Sequence, residues 1–476
     1  MIKVWINKQI KEMPTKEFED SLIFNILSKN NKSNVKTHVE ELWRRFGEEH
    51  LSAIYEDLLI IGMSVFCVDK RIPRGYFPDN WTRKIYINIP VIELETWNEV
   101  KTDLEIMLNF LSGDDWKLSF RISQHRFRGE KQNKSYKLIG KDRKFDGVSL
   151  FSGGLDSFCG ALKLLSEKKR ICFVGFKEYG LLKNKQYELF EAIDNFYKGI
   201  DKELLLFNIT PMRPIGISEK MAKLGSENTS RSRSLIFLVG ALAVASLIGD
   251  KTPVYMPENG FIGINVPLTD SRLSSCSTRT THPYFIKLFS DILNKIGIND
   301  KIINFYSSLT KGEIVSEFKD NPLFREYACK TISCSHPCQS RYDKITPPIN
   351  CGYCYPCIIR RAAMNKISYE ESYNPNYKLT KDFIMKYNDV VGKSSDLKAV
   401  LLGLKNYLIH KDDDNYIKYI LLKSGPLKLK ELYNYKRIYK ESMKEILEMI
   451  ISEDKKNNGG LLEYLDSKNE KEGIEQ

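Results

Sequence analysis

Gly147-Val-Ser-Leu-Phe-Ser-Gly-Gly-Leu-Asp-Ser157 decides how this chain is read. Its first five residues are a short, mostly apolar run, the pattern of a buried strand. Gly153 and Gly154 then let the backbone turn tightly and come close to a ligand. FCGALKLLSEKK follows Ser157 with helical spacing. The segment therefore reads as strand, glycine turn and helix start. N–H groups at a helix start, with the hydroxyls of Ser152 and Ser157, suit a phosphate. Asp156 offers a carboxylate to a Mg2+ that offsets phosphate charge. This is not a Walker A loop, which needs GxxxxGK[ST]. Gly392-Lys393-Ser394 is no better, because Tyr387 stands where the first glycine belongs and no strand precedes it.

Outward from the loop, short apolar runs alternate with helix-length segments: RICFVGF (170–176), ELLLFNIT (203–210) and TPVYM (252–256), with an apolar helix at 234–249. Strands separated by helices imply right-handed crossovers and a parallel sheet. Residues 146–370 are thus expected to form an α/β core. Residues 1–145 are expected to form a separate α+β domain that docks partners, with strands at 2–6, 84–90 and 116–122 and helices near 35–62 and 96–112. Between the two, 125–146 carries eight Lys or Arg and three acids and is expected to be an exposed linker or hairpin. Residues 371–476 read as a helical, Lys/Glu-rich region with a frayed end from Glu453.

The chain has 476 residues, 42% apolar and 28% charged, enough for a sizeable core and too long for one ordinary domain. No stretch reaches the ~20 apolar residues of a membrane span. The N-terminus lacks the apolar segment of a signal peptide. A cytoplasmic protein with no membrane partner is expected. The net charge of +12 comes from 53 Lys and 20 Arg spread along the chain. A solvated lysine surface accounts for this better than a nucleic-acid patch, which would concentrate arginine.

Six of ten cysteines fall between Cys329 and Cys357. Such a cluster in a long chain points to a metal. Cys351, Cys354 and Cys357 are spaced to converge on one ion, and Cys334 or Cys338 can complete the set. Four thiolates suit a closed structural Zn2+ site. An iron–sulfur cluster is the competing reading. Arg360 and Arg361 follow directly and can offset the charge.

Ser152-Gly-Gly-Leu-Asp-Ser157 resembles the SGGxDS pyrophosphate loop of the PP-loop ATPases. Those enzymes cleave ATP to AMP and pyrophosphate and activate a carboxylate, carbonyl or amide oxygen as an adenylate. The resemblance implies an α/β fold with a parallel PP-loop sheet, like the adenine nucleotide alpha hydrolases. ATP would be held by Ser152, Gly153, Gly154, Leu155, Asp156 and Ser157. In that fold the second strand flanks adenine, so Phe173 becomes a contact or, equally, a core residue. Arg231 and Arg233 could clamp phosphates bidentately, or be surface arginines.

A PP-loop followed by Cys…CxxCxxC resembles the QueC family, which makes 7-cyano-7-deazaguanine from the 7-carboxy compound with ATP and ammonia. Thr331-Ile-Ser-Cys334 is similar to that family's TWSC stretch, which implies Cys334 as the fourth zinc ligand with Cys351, Cys354 and Cys357. Lys311-Gly-Glu-Ile-Val315 is similar to its K-x-x-I-V segment. The family's YPDCR pattern is missing, and Tyr255-Met-Pro-Glu258-Asn259-Gly260 stands in its place. ENGFIGINVPL (258–268), STRTTHP (277–283) and 69–91 resemble the QatC subfamily of Qat anti-phage defence systems. The resemblance implies an ATP-dependent, C–N bond-forming ligase. It would adenylate a 7-deazaguanine carboxylate and pass the acyl group to an amine, giving a nitrile or an amide on a partner protein from the same system. Asp156, Ser157, Lys311 and Arg233 would carry catalysis. Glu258, Asn259, Gly260, Arg279 and His282 would face the substrate, His282 as a general base or a structural histidine. Two other classes are weighed: a PP-loop enzyme inserting sulfur into tRNA, and a non-catalytic nucleotide-binding scaffold.

Overall fold

The computed structural model describes residues 1–27, 32–128, 136–227, 231–269, 279, 281–387 and 393–467. Eleven strands are found among them: β1 (Ile2–Gln9), β2 (Leu22–Leu27), β3 (Val35–Thr37), β4 (Lys84–Val91), β5 (Asp115–Ile122), β6 (Gly147–Leu150), β7 (Ile171–Phe176), β8 (Lys202–Phe207), β9 (Ile209–Pro211), β10 (Val254–Tyr255) and β11 (Ile302–Ile303).

The core sheet runs β11-β10-β6-β7-β8, and every neighbouring pair is parallel. The expected parallel sheet is present. The chain leaves β6 toward β7 and β8, then returns to β10 and β11 on the other side. The order therefore reverses between β6 and β10. In open α/β sheets, ligands bind outside the carboxyl ends of the strands at such a reversal. The loop after β6 carries residues 152–157, and the loop after β10 carries Glu258 and Asn259.

The first unit differs from the expected α+β arrangement. Its sheet, β2-β1-β4-β5, is parallel throughout. The helix Ala53–Arg71 covers one face and supplies the crossover that a parallel pair requires. This sheet also reverses, between β1 and β4, but the chain itself fills that crevice. Phe127 and Arg128 are buried there. Their N–H groups reach Glu56 Oε1 and Gln9 Oε1, both at 2.8 Å. The start of the expected exposed linker is thus packed into the fold.

One apolar cluster spans both sheets. The helix Ala53–Arg71 lies against the apolar helix Arg233–Ile248. A Cβ on Gly62 would come within 2.7 Å of Val239, so glycine permits the close crossing. Phe66 meets Phe176 edge-on at 5.3 Å, and β3 pairs with β9 across the two units. The C-terminal region is helical as expected, and its long helix Leu429–Asn457 shares a second cluster with Phe261 and the metal-site cysteines. The end expected to fray from Glu453 continues as helix to Asn457, and Leu461 of the helix Leu461–Ser467 is fully buried. No helix among the described residues is long and apolar enough to cross a membrane.

Candidate functional site

Phe151 ends the apolar run, and Gly153 adopts φ +82°, turning the chain into the helix Leu155–Ser166. Three local bonds shape the loop. Gly154 N–H donates to Ser152 Oγ at 3.2 Å, and the Ser152 and Ser157 hydroxyls meet at 3.1 Å. Ser157 donates to the Gly154 carbonyl at 2.9 Å. Among the described residues, the Asp156 and Ser157 N–H groups donate to no protein acceptor. They remain available to an anion at this helix start.

Asp156 is buried at the first turn, where two other segments converge on it. Lys311, the first residue of the helix Lys311–Glu317, pairs with Asp156 Oδ1. Asn259 donates to Asp156 Oδ2 from its side chain at 2.7 Å and its backbone at 3.2 Å. Its amide also donates to Glu258 Oε1 at 3.2 Å. Burial alone would raise the Asp156 pKa, but the Lys311 ammonium and hydrogen bonds from Glu258, Lys311 and Asn259 hold it below the carboxylate range. Glu258 is pushed well above that range by burial, by the Asp156 charge and by its hydrogen bond to Asp156. The two neighbouring carboxyls are thus pushed in opposite directions, Asp156 down and Glu258 up. Asn304, just after β11, fixes Glu258 through its backbone, accepting from the N–H at 3.3 Å and donating to the carbonyl at 2.9 Å. Asn259 also caps the short helix Gly260–Ile264. Gly260 is a packing position: a Cβ there would stand 2.4 Å from the Ser307 carbonyl oxygen.

The other candidates lie differently. Phe173 is wholly buried in β7 against Phe151 and Phe190, as a core residue. Arg233 sits beyond the β7 end, 3.1 Å from Glu178. Arg231 is not at the surface. It donates to the Ser112 carbonyl beside Arg74, Arg83, Asp69 and Asp114, and burial and Arg74 lower its pKa to about 10. This ionic cluster ties the first unit to the apolar helix. Arg279 donates to the Phe110 carbonyl at 2.9 Å, while the adjoining residues 270–278 and 280 fall outside the described residues. His282 is fully buried as the N-cap of the helix Pro283–Lys295. Its Nδ1 accepts from Tyr284 N–H at 3.1 Å and its Nε2 lies 3.3 Å from Ser424 Oγ. Burial, with Arg279 nearby, lowers its pKa to about 3. Both ring nitrogens are engaged, so its role here is structural. Gly392 of the Gly-Lys-Ser motif is outside the described residues; the Lys393 ammonium rests over the Tyr377 and Tyr387 rings.

Cys334, Cys351, Cys354 and Cys357 bring their sulfurs within 4.8 Å of one another and could hold a metal ion such as Zn2+. Cys334–Cys354 and Cys351–Cys357 stand at 3.8 and 3.9 Å. A tetrahedron with Zn–S bonds of ~2.3 Å has sulfurs ~3.8 Å apart. An iron–sulfur cluster spreads its thiolates over several irons, so the short spacing favours a single ion. N–H groups of His336 and Cys351 point at Cys334 Sγ, at 3.2 and 3.4 Å. Cys338 is not in the set. Arg360 and Arg361 lie beside the set and pair with carboxylates: Arg360 forks onto Glu371, and Arg361, packed on Gly352 between Cys351 and Cys354, pairs with Glu453 at 3.0 Å.

Spacing did not reveal what joins metal site and loop. The segment Thr331–Ser333 leads into Cys334 and lies across the glycine turn. Ile332 N–H donates to the Gly153 carbonyl at 2.9 Å, and Leu155 N–H points at Ser333 Oγ at 3.4 Å. Wholly buried Arg360 holds this strap by Thr331 Oγ1 at 2.8 Å, Ser333 Oγ at 3.1 Å and the Ala328 carbonyl at 2.7 Å. Asn350, beside Cys351, clamps it again through Thr331 O and Ser333 N, each at 3.0 Å. Adjacency to Cys334 was the one signal in the sequence.

The chain matches no protein-family model and no curated protein sequence.

Proposed function

We propose that this chain is an ATP-dependent adenylating enzyme of the QueC-like, PP-loop kind, acting on the carboxylate of a 7-deazaguanine. The observation that carries the reading is the Ser152–Ser157 loop at the reversal between β6 and β10, with Asp156, Glu258 and Lys311 gathered under it. The substrate class and the defence context come from the sequence resemblance.

ATP would set its phosphates on the free N–H groups and hydroxyls of the loop. The carboxylate oxygen attacks the α-phosphorus, the bond to the bridging α–β oxygen breaks, and pyrophosphate leaves. Lys311 meets the leaving charge from its place on Asp156, and Arg233 can approach from the β7 side. An amine then attacks the acyl carbon, AMP departs, and the nitrogen loses its proton, giving an amide. Positioning and charge stabilisation supply most of the acceleration in phosphate transfers of this kind. Asp156, with Glu258 once it gives up its proton, would supply oxygen donors to a Mg2+, and the ion would neutralise phosphate charge. The four-cysteine site would hold Zn2+ and fix the strap over the loop.

The test is ATP–pyrophosphate exchange with 7-carboxy-7-deazaguanine, with Asp156→Asn as control. Exchange that needs the deazapurine and vanishes in the variant is expected. Full exchange in Asp156→Asn would remove the loop from the chemistry.

A further inference from the structure

We infer that Ser333 is a nucleotide-binding residue, a third hydroxyl of the phosphate site, delivered to the glycine loop by the metal-site strap. The inference rests on the reading of that loop as an ATP site.

Ser333 Oγ faces the loop from outside its own sequence. It lies 3.4 Å from Leu155 N, and a Cβ built on Gly154 would stand 3.9 Å from it. Arg360 and the Leu155 N–H both donate to this oxygen, so both of its lone pairs are engaged. Its own proton has no acceptor among the described residues. A hydroxyl bound in this way is a pure donor, and a buried guanidinium polarises it further. Unlike Thr331, which is fully buried and spends its proton on the Ala328 carbonyl at 2.7 Å, Ser333 is half-buried beside the loop. A donor beside Ser152, Ser157 and free N–H groups fits a phosphate oxygen.

The placement is tied to the cysteines on both sides. Ser333 precedes Cys334, and Asn350, which accepts from Ser333 N–H, precedes Cys351. The four-cysteine site therefore sets the height of Ser333 above the loop, and metal loading should reach nucleotide affinity through it.

The experiment is calorimetric titration of zinc-loaded protein with Mg2+ and a non-hydrolysable ATP analogue. Hydrogen bonds to charged groups are strong enough that Ser333→Ala should weaken binding by at least about tenfold. Bound zinc should stay at the wild-type value, the unfolding midpoint should fall only slightly as Arg360 and the Leu155 N–H lose one acceptor, and Ser333→Thr should restore most of both affinity and midpoint. Unchanged affinity in Ser333→Ala, or lost affinity that threonine fails to rescue, overturns the assignment. A wild-type protein that does not bind the analogue overturns the ATP reading itself, and this inference with it.

Discussion

Arg360→Met tests the mechanical link between metal site and loop. In the wild type the guanidinium is wholly buried, and the Glu371 side chain it pairs with is 1% exposed. The substitution keeps much of the volume but leaves Glu371 with Tyr373 as its remaining donor among the described residues, at 2.5 Å. Removing one partner of a buried pair costs ~3–5 kcal/mol because the other charge stays unpaired out of water. The strap also loses three anchors at once, on Ala328, Thr331 and Ser333. Amide hydrogen exchange of a peptide spanning the strap reads this locally, since the Ile332 N–H is held by the Gly153 carbonyl. If most of the cost appears as local opening, exchange should speed up by about a hundredfold or more. A second variant, Arg360→Met with Glu371→Leu, removes both charges and should recover most of the protection. Unchanged exchange in the single variant, or a double variant as exposed as the single, would refute the coupling.

Cys354→Ser should release the bound zinc and lower the unfolding midpoint, read by metal analysis alongside a thermal melt; unchanged metal content would remove Cys354 from the ligand set. Gly312→Ala should destabilise by ~1–3 kcal/mol, because its Cβ would stand 2.4 Å from Glu445 Oε1, a carboxylate fixed by Thr310 and Lys366. Glu445→Ala in the same chain should relieve that clash, and urea titration separates the two. His282 is held neutral by burial, with its pKa lowered from 6.5 to about 3. The unfolded chain therefore binds the extra proton, and this stabilisation is complete above pH ~6.5 and is lost as pH falls toward the folded value. At ~1.4 kcal/mol per unit, the loss is on the order of 5 kcal/mol. His282→Asn keeps an N-cap acceptor and should flatten stability between pH 4 and 6.5; an unaltered slope there would assign the pH dependence to other groups.

The glycine loop and the three close cysteines were legible because both are local: a strand, a turn and a helix start in eleven consecutive residues, and thiols at fixed spacing. Spacing left Cys334 and Cys338 open as the fourth ligand, and the choice needed the resemblance to a known stretch. Arg231 could not be placed from its neighbours, because its partners, Ser112 among them, arrive from the helices and turns of the first unit. The parallel order of that sheet was hidden for the same reason. Periodicity marks where strands are, and pairing across long crossovers decides their direction. The short strand β2 was missed, and so was the segment from 123 to 128 that fills the first crevice. Glu445 reaches Thr310 and Gly312 from the C-terminal helix, a contact across some 135 residues that no local pattern announces. Ser333 and Arg360 became visible only when the strap was seen to cross the loop.

The products of ATP turnover test the central claim most directly. Phosphorus NMR of ATP incubated with Mg2+, 7-carboxy-7-deazaguanine, an ammonium salt and the zinc-loaded protein distinguishes cleavage at the α-phosphorus from cleavage at the γ-phosphorus. AMP and pyrophosphate in equal amounts, formed only with the deazapurine present, are expected. ADP and phosphate, or no turnover of ATP at all, would contradict an adenylating site on this loop.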